Sequence, residues 1–116
     1  MKTRTTACLL SLSIAGLFYS QGAWSAVDAA AAEALAKKEG CLKCHGIDKK
    51  KDAKSLQQLA TDLKGKPDAS ATLLKHLTTG PKVKLEDGSE EDHKILKTKD
   101  KAAIDNLIAW ILSLAK

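Results

Sequence analysis

Aromatic side chains are scarce in this 116-residue chain, which has two tryptophans, one tyrosine and one phenylalanine. Three of these four residues lie within the first 24 positions, and Trp110 is the only aromatic residue after them. A domain of about 90 residues buries too little surface to be comfortably stable by itself. An aliphatic core without large side chains therefore needs another apolar body to fill it.

Arginine is nearly absent as well, since Arg4 is the only arginine among 19 basic residues. The net charge is +5 for the whole chain and about +3 for residues 26–116, where 17 basic residues face 14 acidic ones. Arginine is the commonest reader of phosphates and base edges. A mildly basic chain with a single N-terminal arginine does not fit a nucleic-acid-binding protein.

The sequence also lacks an apolar run long enough to span a bilayer. Residues 7–19 form an apolar run of 13 residues, whereas a transmembrane helix needs about 20. Lys2 and Arg4 precede this run, and the small and polar residues 20–26 follow it. That order is typical of a secretory signal peptide.

We therefore predict that residues 1–25 are a signal peptide, cleaved after Ser25 or Ala26, and that residues 26–116 form one periplasmic domain with no membrane insertion. Cys8 would leave with the leader. A lipid anchor on Cys8 is disfavoured because this residue lies too early in the apolar run.

One short element carries the chemistry: residues 41–45 read Cys-Leu-Lys-Cys-His, the attachment signature for c-type haem. Two thiols one helical turn apart can each add to a vinyl group of one porphyrin. The adjacent imidazole then reaches the iron as the proximal ligand. The sequence predicts one haem c, held covalently through Cys41 and Cys44 and ligated by His45.

Two other interpretations of the cysteine pair fit the residues less well. A structural zinc site needs four ligands, usually as two such pairs, and residues 26–116 contain no second pair. A thioredoxin-like disulfide needs a βαβ context, and no strand pattern surrounds the motif. The adjacent histidine and the export signal both favour haem.

Four helices are expected from apolar spacing and capping residues. The first is Ala-rich, begins at Asp28 and ends before Gly40. The second begins at Ser55, and the third carries an apolar stripe that ends at Gly80. The last begins at Asp100, and its apolar arc is so wide that it needs two neighbours, which we expect to be the haem and the first helix.

Between these helices, residues 48–54 and 81–98 have no apolar period and are mostly charged. Both segments are predicted to be exposed loops. A loop as long as residues 81–98 in a small protein is usually functional or disordered.

This order of elements resembles the class I monohaem cytochromes c, particularly the small bacterial ones, over essentially the whole segment after the leader. The resemblance implies an all-α fold in which the N- and C-terminal helices cross over one covalently bound haem. It also implies that small residues near Ala31 and Ala34 pack against the face around Trp110. The loop before the last helix is then expected to carry the sixth iron ligand, which in this family is usually methionine.

Met1 is the only methionine in the chain, and it belongs to the predicted leader. His93 lies in the corresponding loop, 17 residues before Trp110, and is our candidate for the sixth ligand. His76 on the third helix is the competing candidate. The remaining alternatives for the sixth iron position are a lysine ligand, such as Lys94, or no protein ligand.

A second departure concerns the proximal side of the haem. Proteins of this family usually have a proline about nine residues after the haem histidine, whose carbonyl accepts a hydrogen bond from the imidazole. Lys54 occupies this place here. A lysine still offers a carbonyl, so we expect the contact with His45 to be retained.

The resemblance implies an electron carrier that is not an enzyme, because iron with two strong protein ligands has no open position. Histidine in place of methionine predicts a lower reduction potential. The alternative is a haem protein with an open or labile sixth site that binds a gas or turns over peroxide.

The expected partners are redox proteins of the periplasm or membrane with acidic docking surfaces, and the expected state is a monomer. This prediction is based on a cluster of basic residues next to the motif, which would attract an acidic partner. A group of acidic residues precedes His93. The basic cluster is Lys43, Lys49, Lys50, Lys51 and Lys54, and the acidic residues are Glu86, Asp87, Glu90, Glu91 and Asp92.

We expect the haem-free protein to be largely unfolded, because its aliphatic core would lose its largest apolar body. Far-UV circular dichroism of haem-free and haem-loaded protein, with thermal melts of both, measures this. A native-like spectrum and a cooperative melt from the haem-free chain would contradict it.

Overall fold

The computed structural model describes residues 26–116, and the predicted signal peptide lies outside the described residues. Five helices and one hairpin follow one another along the chain. They are α1 (Ala29–Lys38), α2 (Cys41–Cys44), α3 (Leu56–Leu63), α4 (Ala69–Thr79), β1 (Lys82–Lys84), β2 (Glu90–Asp92) and α5 (Lys101–Ser113). Within residues 26–116, no helix combines the length and the apolar character that crossing a membrane requires.

Three of the predicted helix starts are confirmed by their side-chain caps. Asp28, Ser55 and Asp100 each accept a hydrogen bond from the backbone N–H three residues further on, at 2.9, 3.1 and 3.3 Å respectively. A cap of this kind satisfies one of the N–H groups that have no partner within the helix. The first helix also ends where expected, because Gly40 adopts a left-handed conformation with φ of 84°.

The N- and C-terminal helices α1 and α5 pack closely against each other, as the resemblance implied. The buried residues of α1, however, lie one and two positions after those predicted for this contact. Ala32 and Ala36 are buried at 1% and 0% exposure, whereas Ala31 and Ala34 are exposed. Four consecutive alanines start α1, so their spacing could not indicate which side of the helix faces the core.

A reciprocal pair of hydrogen bonds joins the start of α1 to the middle of α5. The Asp28 N–H donates to Asn106 Oδ1 at 2.9 Å, and Asn106 Nδ2 donates to the Asp28 carbonyl at 2.8 Å. These bonds satisfy polar groups at the start of α1. They also fix the position of α1 along α5.

The core is built around α5, whose buried residues are Ile104, Leu107, Ile108, Trp110 and Ile111. Helices α1, α3 and α4 all contact α5. We expected the first helix and the haem to cover the apolar side of this last helix. The structure adds α3 and α4 to these neighbours. Leu107 and Ile111 also line a cavity between the helices and the hairpin.

The predicted loop 81–98 contains an antiparallel hairpin, which adds a small two-stranded sheet to the predicted all-α fold. Lys82 pairs with Asp92 and Lys84 pairs with Glu90. Lys82 Nζ lies 2.8 Å from Asp92 Oδ1. The strands escaped prediction because five of their six residues are charged and Val83 is the only apolar one.

Replacing Ala32 by leucine should overpack the α1–α5 contact and reduce the free energy of unfolding by about 1–3 kcal/mol. The matched control, Ala31→Leu, adds the same side chain to the exposed side of α1 and should change that free energy by less than about 0.5 kcal/mol. Guanidinium unfolding of both haem-loaded variants measures the difference. Equal effects, or a larger loss for Ala31→Leu, would contradict the observed helix register.

Candidate haem site

A cavity of about 460 Å³ lies between the helices and the hairpin. Its volume falls within the range of small-molecule and cofactor sites. The two cysteines of the motif and three histidines lie in its wall, among mainly aliphatic side chains. The aliphatic residues are Ala36, Ala53, Leu56, Leu59, Leu63, Leu73, Leu77, Val83, Leu85, Ile95, Leu96, Leu107 and Ile111.

The cysteines lie at the two ends of the short helix α2, which the left-handed Gly40 turns away from α1. Both thiols are free and half-buried. Burial raises the pKa of the Cys41 thiol, whereas a redox-active cysteine has a lowered pKa. This environment argues against a redox disulfide. Within residues 26–116, no three or more Cys, His, Asp or Glu side chains gather as a metal site.

His45 is held by a contact between its Nδ1 and the carbonyl oxygen of Lys54, 2.6 Å apart. A carbonyl can only accept, so this hydrogen bond requires the proton on Nδ1 and leaves the Nε2 lone pair for iron. Burial lowers the pKa of His45, and the Lys54 carbonyl opposes that effect. The contact expected at Lys54 is confirmed, with lysine where the family usually has proline.

The loop between His45 and Lys54 is shaped by backbone contacts that the sequence analysis missed. The Ala53 N–H donates to the Cys44 carbonyl at 3.1 Å. Gly46 is buried, and a Cβ there would lie 2.0 Å from the carbonyl oxygen of Lys49. Gly46 is therefore required for the tight turn that returns the chain beneath His45. The glycine directly after the motif is the sequence feature that could have indicated this turn.

His93 lies across the cavity from His45, with 6.2 Å between the two ring centroids and 42° between the ring planes. Its Nδ1 lies 3.0 Å from the carbonyl oxygen of His76 and 2.9 Å from that of Lys94. As at His45, carbonyl acceptors require the proton on Nδ1 and leave Nε2 for a metal.

His76, the competing candidate, also lines the cavity. Its ring lies edge-on to that of His93, with 5.6 Å between the centroids. Burial lowers the pKa of His76, as do the neighbouring His93 and Lys75. The structure thus places His76 beside His93, and His93 opposite His45.

The spacing of the two facing imidazoles fits a single iron between them. A bond from a histidine nitrogen to a metal is about 2 Å long and the ring centroid lies about 1 Å behind that nitrogen, so two rings on one metal have centroids about 6 Å apart. The observed separation is 6.2 Å. The two thiols, the facing imidazoles and the aliphatic side chains that line the cavity therefore fit a haem group.

The basic cluster next to the motif is partly neutralised. Lys50 Nζ lies 3.1 Å from Glu86 Oε2, and Lys54 Nζ lies 2.9 Å from Asp62 Oδ2. Lys51 donates to the carbonyl of Leu42 at 2.7 Å. The remaining members of the cluster, Lys43 and Lys49, have no acidic partner within 4.0 Å among the described residues.

Comparisons with known proteins identify the family of this chain. The family model for cytochrome c matches residues 29–115. The chain belongs to the cytochrome c family. This cytochrome c therefore carries covalent haem c through Cys41 and Cys44.

Two relatives bear on the assignment. Cytochrome c-551 from Pseudomonas aeruginosa is 36% identical over 72 residues, which are 62% of this chain and 65% of that protein, just under two thirds of its length. The crystal structure of the class 1 cytochrome MtoD from Sideroxydans lithotrophicus ES-1 superimposes with a TM-score of 0.73 at 50% identity. That match covers 77% of this chain and 98% of the other. The class I cytochrome c fold is thereby established for this chain.

Proposed function

We propose that this cytochrome c is a periplasmic one-electron carrier whose haem iron is ligated by His45 and His93. The observation that carries the proposal is the facing pair of imidazoles, 6.2 Å apart, each with its Nδ1 against a backbone carbonyl. The haem, when bound, supplies a redox centre that takes up and releases one electron.

The chain contributes rigidity to this reaction. Carbonyl acceptors on Nδ1 set the tautomer and ring orientation of both histidines and increase the basicity of their Nε2 atoms. Two strong ligands held in this way leave no position for substrate. Electron transfer then requires no change of ligand, which favours a carrier over an enzyme.

The ligand set also predicts a reduction potential below that of relatives with methionine. Methionine as the sixth ligand raises the potential of a cytochrome c, and residues 26–116 contain none. Donation from an imidazole whose Nδ1–H is hydrogen-bonded stabilises the ferric state further.

The proposed location is the periplasm, on the evidence of the leader-like residues 1–25. The proposed partners are redox proteins with acidic docking surfaces, met by the monomeric protein in brief encounters. Lys43 and Lys49, the cluster members without an acidic partner among residues 26–116, would provide the attraction. A diffusing monomer suits such short-lived complexes.

His93→Met should raise the reduction potential by on the order of 100 mV, a fraction of the about 0.8 V over which axial ligands move haem potentials. His93→Ala should give high-spin ferric iron and a ferrous form that binds CO, because it removes a ligand. His76→Ala is the control and should stay low-spin. Potentiometry with optical and paramagnetic resonance spectra measures all three.

Wild-type protein that is high-spin, or whose ferrous form binds CO at once, would contradict ligation by His93 and favour the gas-binding or peroxidatic alternative. Low-spin spectra retained by His93→Ala but lost by His76→Ala would instead identify His76 as the ligand.

Oxidation by a small anionic reagent such as ferricyanide should slow several-fold as ionic strength rises, because salt screens the attraction of a basic rim. Oxidation by a cationic cobalt(III) complex should show the opposite trend. Lys43→Gln with Lys49→Gln should weaken the salt dependence. Rates that are independent of salt for both reagents would contradict electrostatic steering.

A further inference from the structure

Three backbone carbonyls at, and just after, the carboxyl end of α4 contact the segment that carries His93. The carbonyl of His76 lies 3.0 Å from His93 Nδ1, which also lies 2.9 Å from the carbonyl of Lys94 within its own segment. The carbonyl of Leu77 accepts from the Leu96 N–H at 2.8 Å, and that of Pro81, just beyond the helix, accepts from the His93 N–H at 2.9 Å. The last carbonyls of a helix have no partner within it. For His76 and Leu77, the His93 segment supplies those partners.

Gly80 ends α4 next to this segment. Its φ is 60°, and a Cβ at this position would lie 2.7 Å from the carbonyl oxygen of His93 and 3.1 Å from Ile95 Cγ2. An approach of 2.7 Å between a Cβ and a carbonyl oxygen is well inside van der Waals contact. The backbone of His93 therefore lies directly against Gly80, where a side chain has no room.

Other glycines with positive φ lack this crowding. Gly65 and Gly88 have φ of 78° and 87°, and a Cβ at either would meet nothing within 4 Å. Their requirement for glycine is conformational alone. At Gly80 the conformational and steric requirements coincide, and the atom approached belongs to the candidate ligand.

We propose that the carboxyl end of α4, from His76 to Gly80, positions His93, and we refer to this end as the seat of His93. Gly80 is the positioning residue, because it keeps the seat close enough for the hydrogen bond from His93 Nδ1 to the His76 carbonyl. The inference rests on the proposed ligation by His93. A side chain at position 80 displaces the His93 backbone, weakens the Nδ1 contact and makes the imidazole easier to dislodge from iron. The seat thereby protects the sixth position from external ligands.

The test compares Gly80→Asn with Gly65→Asn in the haem-loaded protein. Asparagine tolerates a left-handed backbone better than other residues with a side chain, so both variants retain the turn and differ in the space around the new Cβ. Cyanide binding to the ferric form and CO binding to the ferrous form are measured by stopped-flow absorbance. We expect at least tenfold faster binding for Gly80→Asn and no more than twofold change for Gly65→Asn.

Equal rates in the two variants would overturn the seat.

A second measurement needs no variant: in ferrous wild-type protein labelled with 15N-histidine, the Nδ1–H of His93 should exchange with solvent at least tenfold more slowly than that of free imidazole. Exchange at the free rate would also overturn the seat, even if Gly80→Asn failed to fold. His93→Ala separates the two proposals. If this variant remains low-spin and does not bind CO, the proposed ligation by His93 is wrong. If it becomes high-spin and binds CO while Gly80→Asn binds cyanide and CO no faster than the wild type, only the proposed role of the seat is wrong.

Discussion

Hydrogen bonds from imidazole Nδ1 to backbone carbonyls are the constraint on which the candidate site depends. His45 lies 2.6 Å from the carbonyl of Lys54, and His93 lies 3.0 Å from that of His76 and 2.9 Å from that of Lys94. Backbone carbonyls are held by the fold itself, so the two rings are oriented without help from mobile side chains. The helices and loops around the cavity can be understood as the means of placing these acceptors.

The two sides of the site are also joined to each other at the surface. The Glu86 N–H donates to the carbonyl of Asp52 at 3.1 Å, and the Glu86 carboxylate pairs with Lys50. An exposed ion pair alone contributes little to stability. Together with the backbone bond, however, it links the loop beneath His45 to the hairpin before His93. The charges that first suggested a docking surface thus serve partly within the molecule.

Features that depend on near neighbours in sequence were predictable. The caps at Asp28, Ser55 and Asp100 each act within three residues, and the spacing of Cys41, Cys44 and His45 is set by one turn of α2. Local hydrogen bonds and covalent spacing leave few alternatives for such elements. The covalent attachment of haem through Cys41 and Cys44, the helix order and the contact between His45 and Lys54 could therefore be derived from the residues and the resemblance they carry.

Local sequence patterns indicated the attached group and four of the five helices among residues 26–116. Packing of the folded chain was needed to show that Ala32 and Ala36 face α5, that charged residues pair as a hairpin, and that His93 lies opposite His45 with His76 at its side. Each of these outcomes depends on contacts between residues distant in the chain. A run of alanines, a run of charges and two histidines 17 positions apart are each compatible with several such arrangements, and packing selects one of them.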